Sequence, residues 1–258
     1  MASKKTSLRF SSPKPSSRQS DRAVQNRYLI GDIAAGLILI DGPGGRQLQH
    51  AAQLAIVDQL NRALDFLTQA EPRAALRFRQ IHRTCHLTNT DLVQSPSGDR
   101  HQSNDETLEN IWLTPAMRQL GCVREQDYLS QVLEETQCRQ GFLVLVNKFP
   151  LPHFAYSIGA RVTLSYYAGG FGIANLHALL VHEICHVFGA ADEAGECCCD
   201  RRFGHLNVVN GNCAVCNPNP QPCIMAGTDL ALCTWTRRQI GWDDSLLRVG
   251  LEVGNPGN

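Results

Sequence analysis

The sequence lacks any long hydrophobic run and any excess of charge of one sign. A helix that crosses a bilayer needs roughly 20 predominantly apolar residues, and no stretch of this chain approaches that length, so we expect no membrane span. The 258 residues include 24 Lys and Arg and 24 Asp and Glu, a formal net charge of zero. Because a neutral chain has no global attraction to nucleic acid, we expect no nucleic-acid partner.

The N-terminal stretch has almost no apolar side chains. Residues 1–26 contain many Ser, Lys and Arg, and such a segment buries too little surface to offset the entropy of ordering its chain. We therefore expect residues 1–26 to form a disordered basic tail. The stretch also lacks the apolar core of a secretory signal peptide, although its composition is compatible with an organelle transit peptide.

Cysteine, in contrast, is abundant. Of the 11 cysteines, one short C-terminal region contains Cys197, Cys198, Cys199, Cys213, Cys216, Cys223 and Cys233. Such clustering favours local disulfide bonds in an oxidising or extracellular compartment, which conflicts with the missing signal peptide and leaves the compartment open. Cys213 and Cys216 have the spacing of half a structural zinc site, but no second well-spaced pair is evident, so we favour disulfide bonds.

Apolar periodicity predicts an α+β fold. The continuous apolar run 142–146 is typical of a central strand that is covered on both faces. Only two residues separate strands 154–158 and 161–166, so we expect a hairpin with one strand antiparallel to its neighbour. The other predicted elements are strand 27–41, helix 47–69, strand 76–79, a polar loop over 86–104, a helix starting near Ser103 or at Thr114, helix 125–139 stopped by Gly141, helix 176–188 with Asn175 as N-cap, and helix 234–240 capped by Thr234.

One of these helices carries a metal-binding pattern. His182 and His186 are four residues apart, so a helix places both imidazoles on one face, where they can bind the same ion, with Glu183 beside them. A catalytic zinc takes three protein ligands and keeps one position open. Gly189 can end the helix in the left-handed conformation, after which the chain brings Asp192 towards the metal. The pattern predicts one catalytic Zn2+ with His182, His186 and Asp192 as its ligands.

The complete pattern HExxHxxGxxD resembles the long motif of the metzincin clan of zinc endopeptidases, in which the third ligand is usually histidine. Aspartate at this position is similar to the snapalysin-like members of the clan. The segment Cys223-Ile224-Met225 looks like the methionine turn of reprolysin-type members. The resemblance covers residues 176–242 and implies that Met225 packs beneath the zinc ligands in a supporting role.

The resemblance also implies an architecture. Residues 27–192 would form an N-terminal subdomain with a mixed twisted sheet, one antiparallel edge strand, a backing helix and the active-site helix. Residues 193–258 would form an irregular Cys-rich subdomain that contains the methionine turn. In such proteins the edge strand borders the cleft and binds an extended protein or peptide substrate through its backbone. The residues expected to form that strand are Phe154, Ala155, Tyr156 and Ser157.

The expected activity is hydrolysis of peptide bonds in proteins. Glu183 is the expected general base, which takes a proton from a zinc-activated water and passes it to the leaving amine. One alternative is a catalytically silent metal-binding or protein-interaction domain of the same fold, although such a domain has no need of Glu183. A gluzincin is disfavoured, because no suitable helix with a later Glu ligand follows residue 193.

A second metal pattern follows the helix. Many side-chain oxygens after residue 191 make a structural Ca2+ ion conceivable, but their spacing is not that of an EF-hand, so solvated loop acids are the favoured interpretation. The residues concerned are Asp192, Glu193, Glu196, Asp200, Asn207, Asn210 and Asn212.

Overall fold

A five-stranded sheet forms the centre of the computed structural model, which describes residues 27–93, 104–151, 153–167, 172–195 and 197–247. Its strands are β1 (Asp32–Asp41), β2 (Arg77–His86), β3 (Gly141–Asn147), β4 (Ala155–Ile158) and β5 (Arg161–Ser165). The order is β2-β1-β3-β5-β4, with β4 antiparallel to β5 at one edge and all other pairs parallel. The α+β class and the antiparallel edge strand are therefore confirmed, while the predicted tail 1–26 lies outside the described residues.

Helices cover the sheet, and a second, very small sheet lies between the last two helices in the chain. The helices are α1 (His50–Ala70), α2 (Asn89–Val93), α3 (Asn104–Gln119), α4 (Glu125–Thr136), α5 (Leu176–Val187) and α6 (Thr234–Gln239). Strands β6 (Arg202–Phe203) and β7 (Val208–Val209) form a two-stranded antiparallel pair. Within the described ranges, no helix combines the length and apolar character that crossing a membrane requires.

Strand β1 shows how the sheet separates two hydrophobic cores. Alternate side chains of a strand point to opposite faces. Leu37 and Leu39 accordingly belong to the core that contains the apolar side chains of α1 and α5, whereas Ile38 and Ile40 belong to the core formed with α3 and α4. Full burial of such a side chain stabilises the fold by roughly 1.5–3 kcal/mol. Strand β3 is buried along its whole length, which confirms the prediction of a central strand.

The structure corrects several predicted boundaries. Helix α4 ends at Thr136, because Gln137 adopts the left-handed conformation with φ 59°. Gly141 does not stop this helix but begins β3, where an added Cβ would lie 2.6 Å from the Ala34 carbonyl oxygen. The stretch predicted as a polar loop contains α2, and α3 starts at residue 104 and includes Pro115, so a start at Thr114 is wrong.

Asn175 is the N-cap of α5 as predicted, whereas the cap of α6 differs from the prediction. Asn175 precedes α5, but its side chain accepts no capping hydrogen bond. Thr234 is the first residue of α6, and the cap is Cys233, whose Sγ accepts from the Thr236 N–H at 3.3 Å. Cys233 has the extended backbone that an N-cap position requires.

The C-terminal part of the chain packs into the core of α1 and α5. Ile224, Met225 and Trp242 all belong to this core. The Trp242 indole N–H donates to the Leu29 carbonyl oxygen at 2.6 Å, and the Leu29 N–H donates to the carbonyl oxygen of Ile240 at 2.8 Å. Packing in this core places the segment that contains Met225 on the same face of the sheet as α5.

Glu71 joins the end of α1 to α6. Glu71 is only 4% exposed. Its carboxylate accepts hydrogen bonds from Arg73 Nε at 2.8 Å and from an Arg237 guanidinium nitrogen at 2.8 Å. The hydrogen bond from Arg73, supported by Arg237, lowers the pKa of Glu71 from its ordinary value of 4.5 to about 2. The charged form of Glu71 is therefore favoured in the folded state.

This arrangement predicts a loss of stability in acid. Because the folded-state pKa lies below the unfolded one, Glu71 stabilises the fold above pH 4.5, and the contribution is lost as the pH falls towards about 2. We expect Glu71→Gln to lower the free energy of unfolding by about 1–3 kcal/mol at neutral pH and to flatten its pH dependence. Urea unfolding at neutral and acidic pH measures both effects.

The matched control is Asp58→Asn, which removes an i,i+4 ion pair whose Asp58 side chain is 67% exposed. Such a pair contributes little, so the free energy of unfolding should change by less than about 0.5 kcal/mol. Equal effects of the two variants would contradict the role given to Glu71.

Candidate metal centre

The end of α5 turns the chain back towards the helix. The Gly189 N–H donates to the His186 carbonyl oxygen at 2.9 Å, and the Ala190 N–H donates to the Cys185 carbonyl oxygen at 2.9 Å, the two hydrogen bonds of a Schellman cap. Gly189 has φ 94°, and an added Cβ would lie 2.8 Å from the Cα of Gly204. The position therefore needs glycine both for its backbone conformation and for space.

The turn brings Asp192 to the two histidines of α5. The Nε2 atoms of His182 and His186 lie 3.0 Å apart, and Asp192 Oδ1 lies 3.2 Å from each of them. Ligands placed tetrahedrally around zinc at about 2.0–2.1 Å are separated by about 3.3 Å. The three atoms thus form a group that can bind one metal ion, and two imidazoles with one carboxylate are a donor set that suits zinc.

Backbone carbonyl groups fix the orientation of both imidazoles. The Nδ1 atom of His182 lies 2.9 Å from the Ile224 carbonyl oxygen, and Nδ1 of His186 lies 2.9 Å from the Ala190 carbonyl oxygen. A carbonyl oxygen only accepts hydrogen bonds, so each Nδ1 must carry the proton. Each neutral imidazole consequently presents the lone pair of Nε2 to the centre of the group, as a metal ligand requires.

The group has a negative potential that favours a cation. When protonated at Nε2, His182 and His186 donate hydrogen bonds to Asp192, and these hold the pKa of Asp192 far below its usual range, so this side chain is a carboxylate. A metal ion at the centre of the group would take the place of these protons. Burial lowers the pKa of His182, but the hydrogen bonds to Asp192 and to the Ile224 carbonyl oxygen, with the charge of Glu183, outweigh burial and raise it. The same surroundings that raise the pKa of an imidazole also attract a metal cation.

Glu183 lies beside this group and faces the edge strand. It is 7% exposed, and burial raises its pKa, although the charges of the two histidines and a hydrogen bond from the Ser157 hydroxyl act in the opposite direction. A carboxyl group with a raised pKa accepts a proton more readily than an exposed one. Glu183 therefore combines a position in the cleft with a raised pKa.

The cleft at this site has a volume of about 480 Å³ and is bordered by β4. The residues that line it are Phe154, Ala155, Tyr156, Ser157, His182, Glu183, His186 and Asp192. The Tyr156 phenol is engaged elsewhere, since its hydroxyl donates to Glu109, which also binds Arg161 at 2.9 Å. The structure thus brings the four predicted strand residues to the candidate metal ligands, with the Tyr156 side chain occupied by Glu109.

Met225 lies in the 3₁₀ turn Ile224–Ala226 and is 1% exposed. The hydrogen bond that ties this turn to the candidate ligands comes from its neighbour, because the Ile224 carbonyl oxygen accepts from His182 Nδ1. The Met225 carbonyl oxygen accepts from the Glu193 N–H at 2.9 Å. The turn is therefore connected to α5 on one side and to the segment after Asp192 on the other.

Hydrogen bonds of three polar side chains hold the segment around Asp192. The residues are Asn210, Gln239 and Glu193, and the sequence does not predict this role for them. The Gln239 Oε1 atom accepts from the Ala191 N–H at 3.0 Å, and Asn210 Nδ2 donates to the Asp192 carbonyl oxygen at 2.7 Å. Glu193 accepts hydrogen bonds from other side chains in the same region. The partners are far apart in the chain, so no spacing pattern in the sequence identifies them.

The oxygen-rich residues considered for calcium are not all solvated, which corrects that interpretation. Glu193, Asn210 and Asn212 are at most 1% exposed. The Glu193 carboxylate accepts from Asn212 Nδ2 at 2.6 Å, from Thr236 Oγ1 at 2.7 Å and from Cys233 Sγ at 2.8 Å. Burial and hydrogen bonding make Glu193 a structural link between segments, while Glu196 lies outside the described residues.

The clustered cysteines form two pairs at disulfide-bond distance. Cys197 is paired with Cys213, with a Cα–Cα distance of 5.7 Å, and Cys199 is paired with Cys216, with a Cα–Cα distance of 6.3 Å. Both separations lie in the range that a disulfide bond spans. The preference for disulfide-type pairing in this region agrees with this arrangement.

No protein-family model matches this chain, and the search of curated proteins finds no match either.

Proposed function

We propose that this protein is a zinc-dependent endopeptidase of metzincin type. The observation that carries the proposal is the convergence of three ligand atoms, separated by 3.0–3.2 Å, in a cleft that also contains Glu183 and borders the edge strand β4. A metal ligand group, a buried carboxyl group and an open strand edge are the three parts that metal-assisted hydrolysis of an extended peptide needs.

His182, His186 and Asp192 are the residues that hold the metal. Two neutral imidazoles and one carboxylate leave a net charge of about +1 on the bound ion. When bound there, zinc supplies Lewis acidity that polarises a peptide carbonyl and makes water more acidic. The carbonyl groups of Ile224 and Ala190 keep both imidazoles in the tautomer that binds metal.

Glu183 moves the proton. Its buried carboxylate takes the proton from the attacking water and delivers it to the amine that leaves. Burial raises the pKa of Glu183, which brings it closer to the working pH and makes both transfers easier. The Ser157 side chain, which lines the same cleft, favours the charged form of this carboxyl group and partly offsets the effect of burial on its pKa.

Strand β4 binds the substrate backbone. The Ser165 N–H donates to the Phe154 carbonyl oxygen at 2.8 Å, so Phe154 points its backbone groups towards β5. Since hydrogen-bonding direction alternates along an antiparallel strand, the backbone groups of Ala155 and Ser157 point to the open edge. An extended peptide can add to this edge as a further strand, whatever its side chains.

Ala155→Pro tests this pairing. Proline removes the outward N–H of the first residue of β4, a position at which strands tolerate proline, and leaves the bonds to β5 in place. Loss of one hydrogen bond costs about 1–1.5 kcal/mol, so we expect kcat/KM for an extended peptide to fall by about tenfold. Ala155→Val, which keeps the N–H, is the matched control; equal activity of both variants would argue against pairing of substrate with β4.

The direct test of the function is metal content combined with protein cleavage. Elemental analysis should give about one zinc fewer per chain for the double variant His182→Ala, His186→Ala than for the original protein. Casein cleavage should stop with a chelator and return with added zinc. A protein that binds zinc at this site but cleaves no protein or peptide would instead be the catalytically silent domain, and equal metal content in the two proteins would refute the proposed site.

A further inference from the structure

The segment after the candidate metal centre has almost no hydrophobic core of its own. Among the described residues between 194 and 222, the buried apolar side chains are those of Val208 and Cys213. A segment that buries so little apolar surface generally needs covalent or metal cross-links to keep one structure. The four cysteines in the two pairs supply these cross-links.

Three of the four sulfur atoms lie closer together than two separate disulfide bonds require. The sulfur atoms of Cys199, Cys213 and Cys216 are all within 4.8 Å of one another, although Cys213 is paired with Cys197. In a tetrahedral site with zinc–sulfur distances of about 2.3 Å, the sulfur atoms are about 3.8 Å apart. The fourth sulfur atom, that of Cys197, is bonded to Cys213 and so lies next to this group, and rotation of the side chains after reduction can bring all four sulfur atoms around a single ion.

The chain also contains the second pair that a four-cysteine site needs. Cys197-Cys198-Cys199 provides two cysteines separated by one residue, and Cys213-Ala214-Val215-Cys216 provides two separated by two residues. The fold brings these pairs face to face, because each disulfide joins one member of the first pair to one member of the second. Two short cysteine pairs that approach each other are the usual framework of a structural zinc site.

We propose that Cys197, Cys199, Cys213 and Cys216 form a second metal site, which binds one zinc ion in the reduced protein. The two disulfide bonds are the oxidised form of the same four residues. A soft thiolate donor set selects zinc over calcium or magnesium. The proposal does not depend on the function assigned to the cleft, since none of these residues belongs to it.

The conversion balances with a dithiol as the reductant. Each disulfide bond accepts two electrons and two protons from one dithiol molecule, which is oxidised to its own disulfide. The four thiols then release four protons as their thiolates bind Zn2+. In either form the four cysteines keep the segment cross-linked. Asn210 connects this segment to the cleft, because its carbonyl oxygen accepts from the Cys213 N–H at 3.2 Å and its side chain donates to the Asp192 carbonyl oxygen.

The test uses the full chain with cobalt as a spectroscopic substitute for zinc. We expect the dithiol-reduced protein to bind about one more metal equivalent than the oxidised protein and to show the ultraviolet sulfur-to-cobalt charge-transfer absorption of a thiolate site. The oxidised protein should lack this absorption. A reduced protein with no additional metal would overturn the proposal, even if its cleft binds zinc and cleaves peptides.

Substitutions at Cys199 separate a metal site from disulfide bonds alone. Cys199→His removes one disulfide bond but keeps a metal ligand, so the reduced variant should still bind cobalt. Cys199→Ser should bind cobalt more than tenfold more weakly, since the loss of an outer-shell partner alone typically costs about 10–100-fold. The exposed neighbour Cys198 is the matched control, and Cys198→Ser should bind as the original protein does. If Cys199→Ser retains the full absorption, the thiolates belong to another group, such as Cys223 and Cys233 beside Glu193, and the proposal fails.

Discussion

Glu183→Gln is expected to keep its metal and to lose nearly all peptidase activity. The amide is close in size to the carboxyl group, so the fold and the ligands His182, His186 and Asp192 should be unaffected. An amide cannot take a proton from water at neutral pH, and general acid–base catalysis contributes about 10²–10⁴-fold to such rates. We expect kcat to fall by about that factor, with little change in KM.

Metal content and peptide cleavage must be measured on the same preparation of this variant. Glu134→Gln is the matched control, because Glu134 is exposed on α4 and should leave both quantities unchanged. Loss of zinc from Glu183→Gln would mean that Glu183 supports the ligands instead of moving protons. Retained activity would assign the general base to another group.

The parts of the fold that could be predicted from the sequence depend on local patterns. Strand β3 was evident from an uninterrupted apolar run, and the β4–β5 hairpin from two short strands separated by two residues. Helix α1 was evident from its apolar repeat. Such patterns record which face of an element is buried, and that information is contained within a few neighbouring residues.

The errors occur where a distant contact decides the local structure. Gly141 reads as a helix stop, yet it is needed for the close approach of β3 to Ala34. The helix instead ends at Gln137 in a left-handed conformation that is unusual for a residue other than glycine. Thr234 resembles an N-cap, but the thiol of Cys233 takes this position in the structure.

In the candidate site, too, local spacing could be predicted from the sequence and contacts between distant residues could not. The spacing of His182, Glu183 and His186 places them together on any helix, so the sequence alone is sufficient to group them. The carbonyl oxygen of Ile224 that orients His182 is 42 residues away, and Gln239, which binds the Ala191 N–H, is 48 residues away. These partners become visible only when the fold is known, because no periodic pattern connects them.

The cysteines illustrate a related limit. Four cysteines allow three disulfide connectivities, and spacing does not choose among them. The structure joins Cys197 to Cys213 and Cys199 to Cys216, a crossed pairing that places the sulfur atoms of Cys199, Cys213 and Cys216 within 4.8 Å of one another. The sequence favours disulfide bonds over a zinc site because no second well-spaced cysteine pair is evident, and the two pairs at disulfide-bond distance agree with that preference.

Substitutions of Asp192 are expected to have the largest effect on metal binding. Asp192→Ala removes one of three protein ligands and should weaken zinc binding by more than the 10–100-fold that is typical of losing an outer-shell partner. Peptidase activity should fall in parallel and be partly restored by excess zinc. Competition with a chelator of known affinity measures the change, and Asp200→Asn, at an exposed position nearby, is the matched control.

Asp192→His tests the same ligand by replacing it with another metal-binding side chain instead of removing it. The Asp192 side chain is 60% exposed, so a larger imidazole has room at this position, and histidine is a normal third ligand of catalytic zinc. We expect this variant to bind zinc far more tightly than Asp192→Ala and to retain peptidase activity. If Asp192→Ala binds zinc as well as the original protein does, the third ligand is another group; if both variants lose zinc equally, the site requires the negative charge of the carboxylate.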